Sequence, residues 1–120
     1  MDTDNPVIKL CIDGTRAEFE GRRGDARALF RQAWEAARDD YEACIAAHYV
    51  ARCQDRPEDT LRWNECALRH ALAVGDDRVL AFFPSLYLNM GQSHETLNHQ
   101  AEARQYYALA AELGVTHQEI

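Results

Sequence analysis

Two stretches of this chain carry one interval pattern: Gly14, Ala26, Phe30 and Ala33 recur as Gly91, Ala103, Tyr107 and Ala110, with gaps of twelve, four and three in both. The middle of the chain gives a weaker copy, His48, Thr60, Asn64 and Ala67, with a histidine in the glycine slot and polar residues in the next two. A glycine inside a helix costs about 1 kcal/mol against alanine, so one at a fixed place in a helix pair must be repaid by packing. Antiparallel helices approach closely only where a side chain is missing. Gly14 and Gly91 are therefore expected to make close contacts with Ala26 and Ala103 facing them. Phe30 and Tyr107 are expected to fill the space beside the next copy, and Ala33 and Ala110 to permit the crossing.

The rest of the chain agrees with helices throughout. Apolar residues fall three and four apart, and no run alternates in the way a strand requires. Breaks rich in Gly, Pro, Asp or Asn lie at 20–25, 38–40, 54–57, 74–77 and 98–100. They divide the chain into six helices near 5–20, 25–38, 40–53, 57–73, 77–97 and 100–113, with short connections that make neighbours antiparallel. Pro57 suits a first helical position, with Glu58 and Asp59 where the dipole favours negative charge. Pro84 lies inside the fifth span and predicts either a kink or a helix that starts near Phe83. Gly114 fits the stop of the last helix.

A chain of 120 residues with 47% apolar content holds one domain with a real core. Asp and Glu number 20 against 13 Lys and Arg, so the surface repels phosphates on average. All but Lys9 of those cations are arginine, which points to a GC-rich bacterial source. The acidic start lacks a secretory pattern and no run is long enough to span a bilayer, so a cytoplasmic chain with reduced Cys11, Cys44, Cys53 and Cys66 is expected.

At Tyr87, Met90-Gly91 and His94, followed by Ala103, Tyr107 and Ala110, the chain resembles the tetratricopeptide repeat family, whose pattern sets Trp, Leu-Gly and Tyr before Ala, Phe and Ala. The first copy keeps Leu10, Gly14, Ala26, Phe30 and Ala33 but has Asp13 and Ala17 in the Leu and Tyr slots, and the second has Cys44, Ala47 and His48. The resemblance implies an all-α, right-handed superhelix (solenoid) of three helix pairs, at about 7–40, 41–75 and 77–113, with a short tail at 114–120. The copies are spaced by 34 residues, then by 43. The nine extra residues lie between Leu68 and Pro84, where they are expected to lengthen the facing ends of the fourth and fifth helices.

The resemblance further implies a non-catalytic module that holds a peptide or partner protein in a concave groove lined by the first helix of each pair. Carried over slot by slot, the lining is Ile8, Cys11, Thr15, Glu18 and Phe19, then Glu42, Ile45, Tyr49, Arg52 and Cys53, then Ser85, Leu88, Gln92, Glu95 and Thr96. Tyr49 and the apolar floor would supply binding energy, and Glu18, Glu42 and Glu95 would favour a basic partner. The family's carboxylate clamp of lysines, asparagines and arginine is missing, since its slots hold Cys11, Thr15, Ala46, Ser85 and Leu86.

Other constellations carry less. Cys44 with His48 and Cys66 with His70 each stand one helical turn apart and could supply a zinc set. The slot assignment turns Cys66 away, so no metal and no cofactor is expected, and His94 and His99 read as structural. No nucleotide-binding, nucleophile-elbow or metalloprotease motif is present, which argues against an enzyme. Arg16, Arg22, Arg23, Arg27, Arg31 and Arg38 form one basic region, read as a face paired with Glu20, Asp25 and Glu35. Its alternative use is contact with nucleic acid by a regulatory subunit. The sixth helix, with Tyr106, Tyr107, Leu109, Ala110 and Leu113, has more apolar surface than one neighbour covers. A homodimer through Tyr106, Leu109 and Leu113 is expected, and a self-associating structural protein is a further alternative.

Overall fold

The computed structural model describes residues 3–114. The tail expected from Gly114 onward lies, beyond that residue, outside the described residues. Six helices run α1 Pro6–Phe19, α2 Arg23–Ala36, α3 Asp40–Ala51, α4 Pro57–Ala73, α5 Phe83–Thr96 and α6 Gln100–Glu112, and no strand occurs among the described residues. Side chains cap several starts. Asn5 accepts from the Val7 and Ile8 amides at 2.8 and 3.2 Å, and Asp39 from the Glu42 amide at 2.8 Å. At the ends of α1 and α5 the same C-terminal turn appears. Gly21 (φ 77°) and Asn98 (φ 65°) are left-handed, and the next amides, of Arg22 and His99, donate back to Ala17 and His94 at 2.9 and 2.8 Å.

Helices next to one another in sequence pack together, α1 on α2, α3 on α4 and α5 on α6 most closely, and α1 also touches α3. The Cα radius of gyration is 14.2 Å. α3 is the centre. It contributes Cys44 and Ala47 to the core shared with α4 and α5, Ile45 and Ala46 to the core beneath α1, and Val50 to the core under Phe30. Trp34 of α2 packs against all three cores and meets Trp63 edge to face at 5.1 Å.

Both glycines are held by aromatic rings. A Cβ on Gly14 or Gly91 would stand 2.7 Å from Cδ1 of Phe30 or Tyr107, closer than carbon atoms approach. The expectation that alanines face the glycines is corrected on this point: the rings of Phe30 and Tyr107 lie on the glycines themselves, inside their own helix pairs.

The extra residues do not lengthen α4 and α5. They form a turn at 74–76 and a 3₁₀ segment, Asp77–Phe82, whose N-terminal amide at Arg78 donates to the Asp76 carboxylate at 3.0 Å. α5 therefore starts at Phe83, and Pro84 occupies its first turn, where a missing N–H costs nothing. The segment folds back onto the core. Val79 is buried, Phe82 stacks on Tyr41 at 6.1 Å, and the Arg78 guanidinium lies 4.4 Å from the Tyr41 ring centroid.

Candidate functional site

The middle copy breaks the ring-on-glycine arrangement, and a cleft opens there. His48 stands where the outer copies have glycine, and Asn64 where they have Phe30 and Tyr107. Asn64 is too short to lie over α3. Its amide instead donates to Ser93 Oγ on α5 at 2.9 Å, and His48 Nδ1 meets the Asn89 amide at 3.3 Å. The space left by the missing ring is an open cleft of about 580 Å³ between the C-terminal halves of α3 and α5 and the start of α4. Most of its lining residues carry an uncharged polar group, among them His48, Thr60, Asn64, Asn89, Gln92 and Thr96, with Ala51 and Pro57 beside them and Arg52 and Asp55 at the margin. Burial, and then the charge of Arg52, push the His48 imidazole below its ordinary value, so it lines the cleft as a neutral ring.

A smaller notch of about 160 Å³ shares His48 and lies between α3 and the 3₁₀ segment, against Ile45, Tyr49, Phe82 and Leu86. Phe82 thus walls the face along which the groove was expected to run. The one thiol there, Cys44, is pushed up to about 12 by burial and by Cys66, and burial takes Cys11 to about 12 as well. None of these is a ready thiolate.

The expected groove residues do not share one surface. Arg52, Gln92 and Thr96 line the large cleft, and Ile45, Tyr49 and Ser85 the notch. Ile8, Cys11, Glu42, Ile45 and Cys53 are buried, so at most an edge of Ile45 is open to a partner. The remainder are spread around them. Thr15 donates to the Cys11 carbonyl, Leu88 is half-buried, and Phe19 is 93% exposed at the end of α1.

The three acids expected at the rim are each engaged within the chain. Glu18 pairs with Arg52 at 2.7 Å, Glu95 accepts from the Tyr107 hydroxyl at 2.8 Å, and Glu42 is enclosed. Glu42 accepts from the Asn5 amide at 2.9 Å and from the Arg38 backbone and guanidinium at 3.0 Å. Arg38, against the cost of burial, holds this carboxyl well below its ordinary range, at about 2. Tyr49 stacks on Phe30 at 5.2 Å and is overlaid by Arg52 at 5.6 Å.

Five of the six arginines of the basic region are likewise engaged, though none with Glu35. Arg22 bonds Glu20 and Asp25, Arg23 and Arg27 share Asp55, and Arg31 lies over the Trp63 ring at 5.4 Å. Cys44, His48, Cys66 and His70 do not form a common ligand set. No three of them converge, and His70 Nδ1 is bound to Asp40 at 2.8 Å. Of the expected dimer residues, Tyr106 is packed inside the chain between Tyr87 and His94, whereas Leu109 and Leu113 are 37% and 51% exposed.

The cleft was foreshadowed in the sequence by the polar residues at positions 48, 60 and 64, which weakened the middle copy. Asn89 and Ser93 gave no such sign, because their role depends on how α5 leans on α4. Comparison of the chain with protein-family models, with curated proteins and with solved structures returns no match in any of the three.

Proposed function

We propose that this chain is a non-catalytic interaction module, built as a tetratricopeptide-like solenoid of three helix pairs, that holds a short peptide segment of a partner protein against α3 and α5. The observation that carries this reading is the cleft and its adjoining notch. Side-chain amides at Asn64, Asn89 and Gln92 offer donors and acceptors of the kind a peptide backbone needs, and the notch beside Tyr49 and Phe82 takes an apolar side chain. The matching glycine contacts and turns of the first and third pairs support the repeat reading. With Glu18, Glu42 and Glu95 engaged internally, a preference for a basic partner rests only on the net charge of −7.

The test is selection from a displayed library of short peptides, followed by solution affinities for the enriched sequences. Enrichment is expected, with binding weakened by Arg52→Ala and lost when His48→Gly and Asn64→Phe together restore the ring-on-glycine arrangement and fill the cleft. Failure to enrich any sequence, or binding indifferent to the filled cleft, would overturn the reading. Binding of nucleic acid that falls steeply with salt and is lost on reversing Arg27 and Arg31 would replace it with the regulatory-subunit alternative.

A further inference from the structure

The corner between α5 and α6 brings together three side chains that neither the cleft nor the core uses. One nitrogen from each of His94 and His99 and a carboxylate oxygen of Glu102 all lie within 4.8 Å of one another. The two imidazoles face each other through their Nδ1 atoms at 3.0 Å. Backbone geometry creates this meeting. His94 and His99 are five apart and would point to different sides of a continuous helix. The left-handed Asn98 instead folds the chain back, and the His99 amide donates to the His94 carbonyl at 2.8 Å. The His94 ring is also oriented from behind, lying parallel to Tyr106 at 5.5 Å.

We propose that His94, His99 and Glu102 bind one divalent transition-metal ion of the zinc class, with water in the fourth position. Zinc–nitrogen bonds of about 2.0–2.1 Å set ligand atoms about 3.3 Å apart in a tetrahedral site. The imidazole nitrogens are already near that spacing. Glu102 is exposed, so its side chain is free to swing its carboxylate toward them. The donor set suits zinc, cobalt or nickel rather than calcium or magnesium, which prefer all-oxygen shells. The C-terminal end of α5 favours a cation there and the N-terminal end of α6 opposes one, leaving the Glu102 charge to decide the balance.

The equivalent corner of the first helix pair supports a built arrangement. The same turn there carries Arg22 and Asp25, which close a salt bridge of 2.9 Å. The third corner keeps the acid, puts His99 at the Arg22 position and adds His94 where the first pair has Ala17. A direct ion pair is thus exchanged for three metal ligands on one backbone frame.

Titration of the full chain with cobalt(II), followed by visible absorption, and with zinc, followed by calorimetry, tests this. One ion per chain is expected, with the intense absorption bands of a four-coordinate cobalt site. His99→Ala and Glu102→Ala should each weaken binding at least about 10-fold. Both positions are exposed, and unchanged helical circular dichroism would show that the variants fold. His70→Ala, at a histidine bound to Asp40 and not among these three, should leave the affinity unchanged. Absence of saturable binding, half an ion per chain, retained affinity in the His99→Ala variant, or loss in the His70→Ala variant would overturn the site.

Discussion

Gly14 and Gly91 are single hydrogen atoms on which two aromatic rings rest. Substituting alanine gains up to about 1 kcal/mol of helix propensity but forces a methyl group into a ring, and overpacking costs about 1–3 kcal/mol. The clash should win at both sites. Phe30 is fully buried and has nowhere to move, whereas Tyr107 is half-buried and can yield. Urea unfolding should therefore show Gly14→Ala as the more damaging change, and equal losses would contradict the ring contact as its cause. Glu42 sets a second expectation. Its carboxyl lies at about 2 in the folded chain against an ordinary 4.5. A folded value below the unfolded one gives stability that is complete above about pH 4.5 and is lost as pH falls through about 2. Glu42→Gln should cost about 1–3 kcal/mol at neutral pH and show a flatter decline between those limits than the parent chain. Parallel acid-unfolding curves would rule this out.

At the scale of elements, the helix breaks were legible because Gly, Pro, Asp and Asn act locally, through dihedral preference and side-chain caps. The 3₁₀ segment was not. Val79, Leu80, Phe82 and Phe83 continue an apolar run whose spacing fits a helix as well as a shorter turn, and only the packing of Phe82 on Tyr41 separates the two. Similarly, spacing five apart hid the meeting of His94 and His99, since it depends on one left-handed asparagine. Glu42, assigned to the groove by its slot, is enclosed with the Asn5 amide and the Arg38 guanidinium on its carboxylate, a pairing that slot spacing does not reveal. Phe82→Ala should destabilise by about 1–3 kcal/mol, less than for a fully buried phenylalanine, and should widen the notch. An enriched peptide should then accept a larger apolar residue at one position, and an unchanged preference would place that residue elsewhere.

For the whole molecule, self-association through α6 is still a proposal, and its surface is smaller than the sequence suggested. Tyr106 is spent inside the chain, leaving Leu109 and Leu113. Sedimentation equilibrium of a dimer held by that face should return to 13.7 kDa on Leu109→Glu with Leu113→Glu. A dimer surviving both would use another exposed apolar position such as Leu72 or Leu80. The two tryptophans, Trp34 and Trp63, touch each other where α2 meets α4, with His70 5.8 Å from Trp34. Intrinsic fluorescence therefore watches one seam of the protein, between the first and second helix pairs, and receives little from α6. Circular dichroism sees every helix. Should the last pair fray before the rest, the two optical melting curves would part company, the dichroic one leading, and the temperature gap between them would measure how independently that end of the chain comes undone.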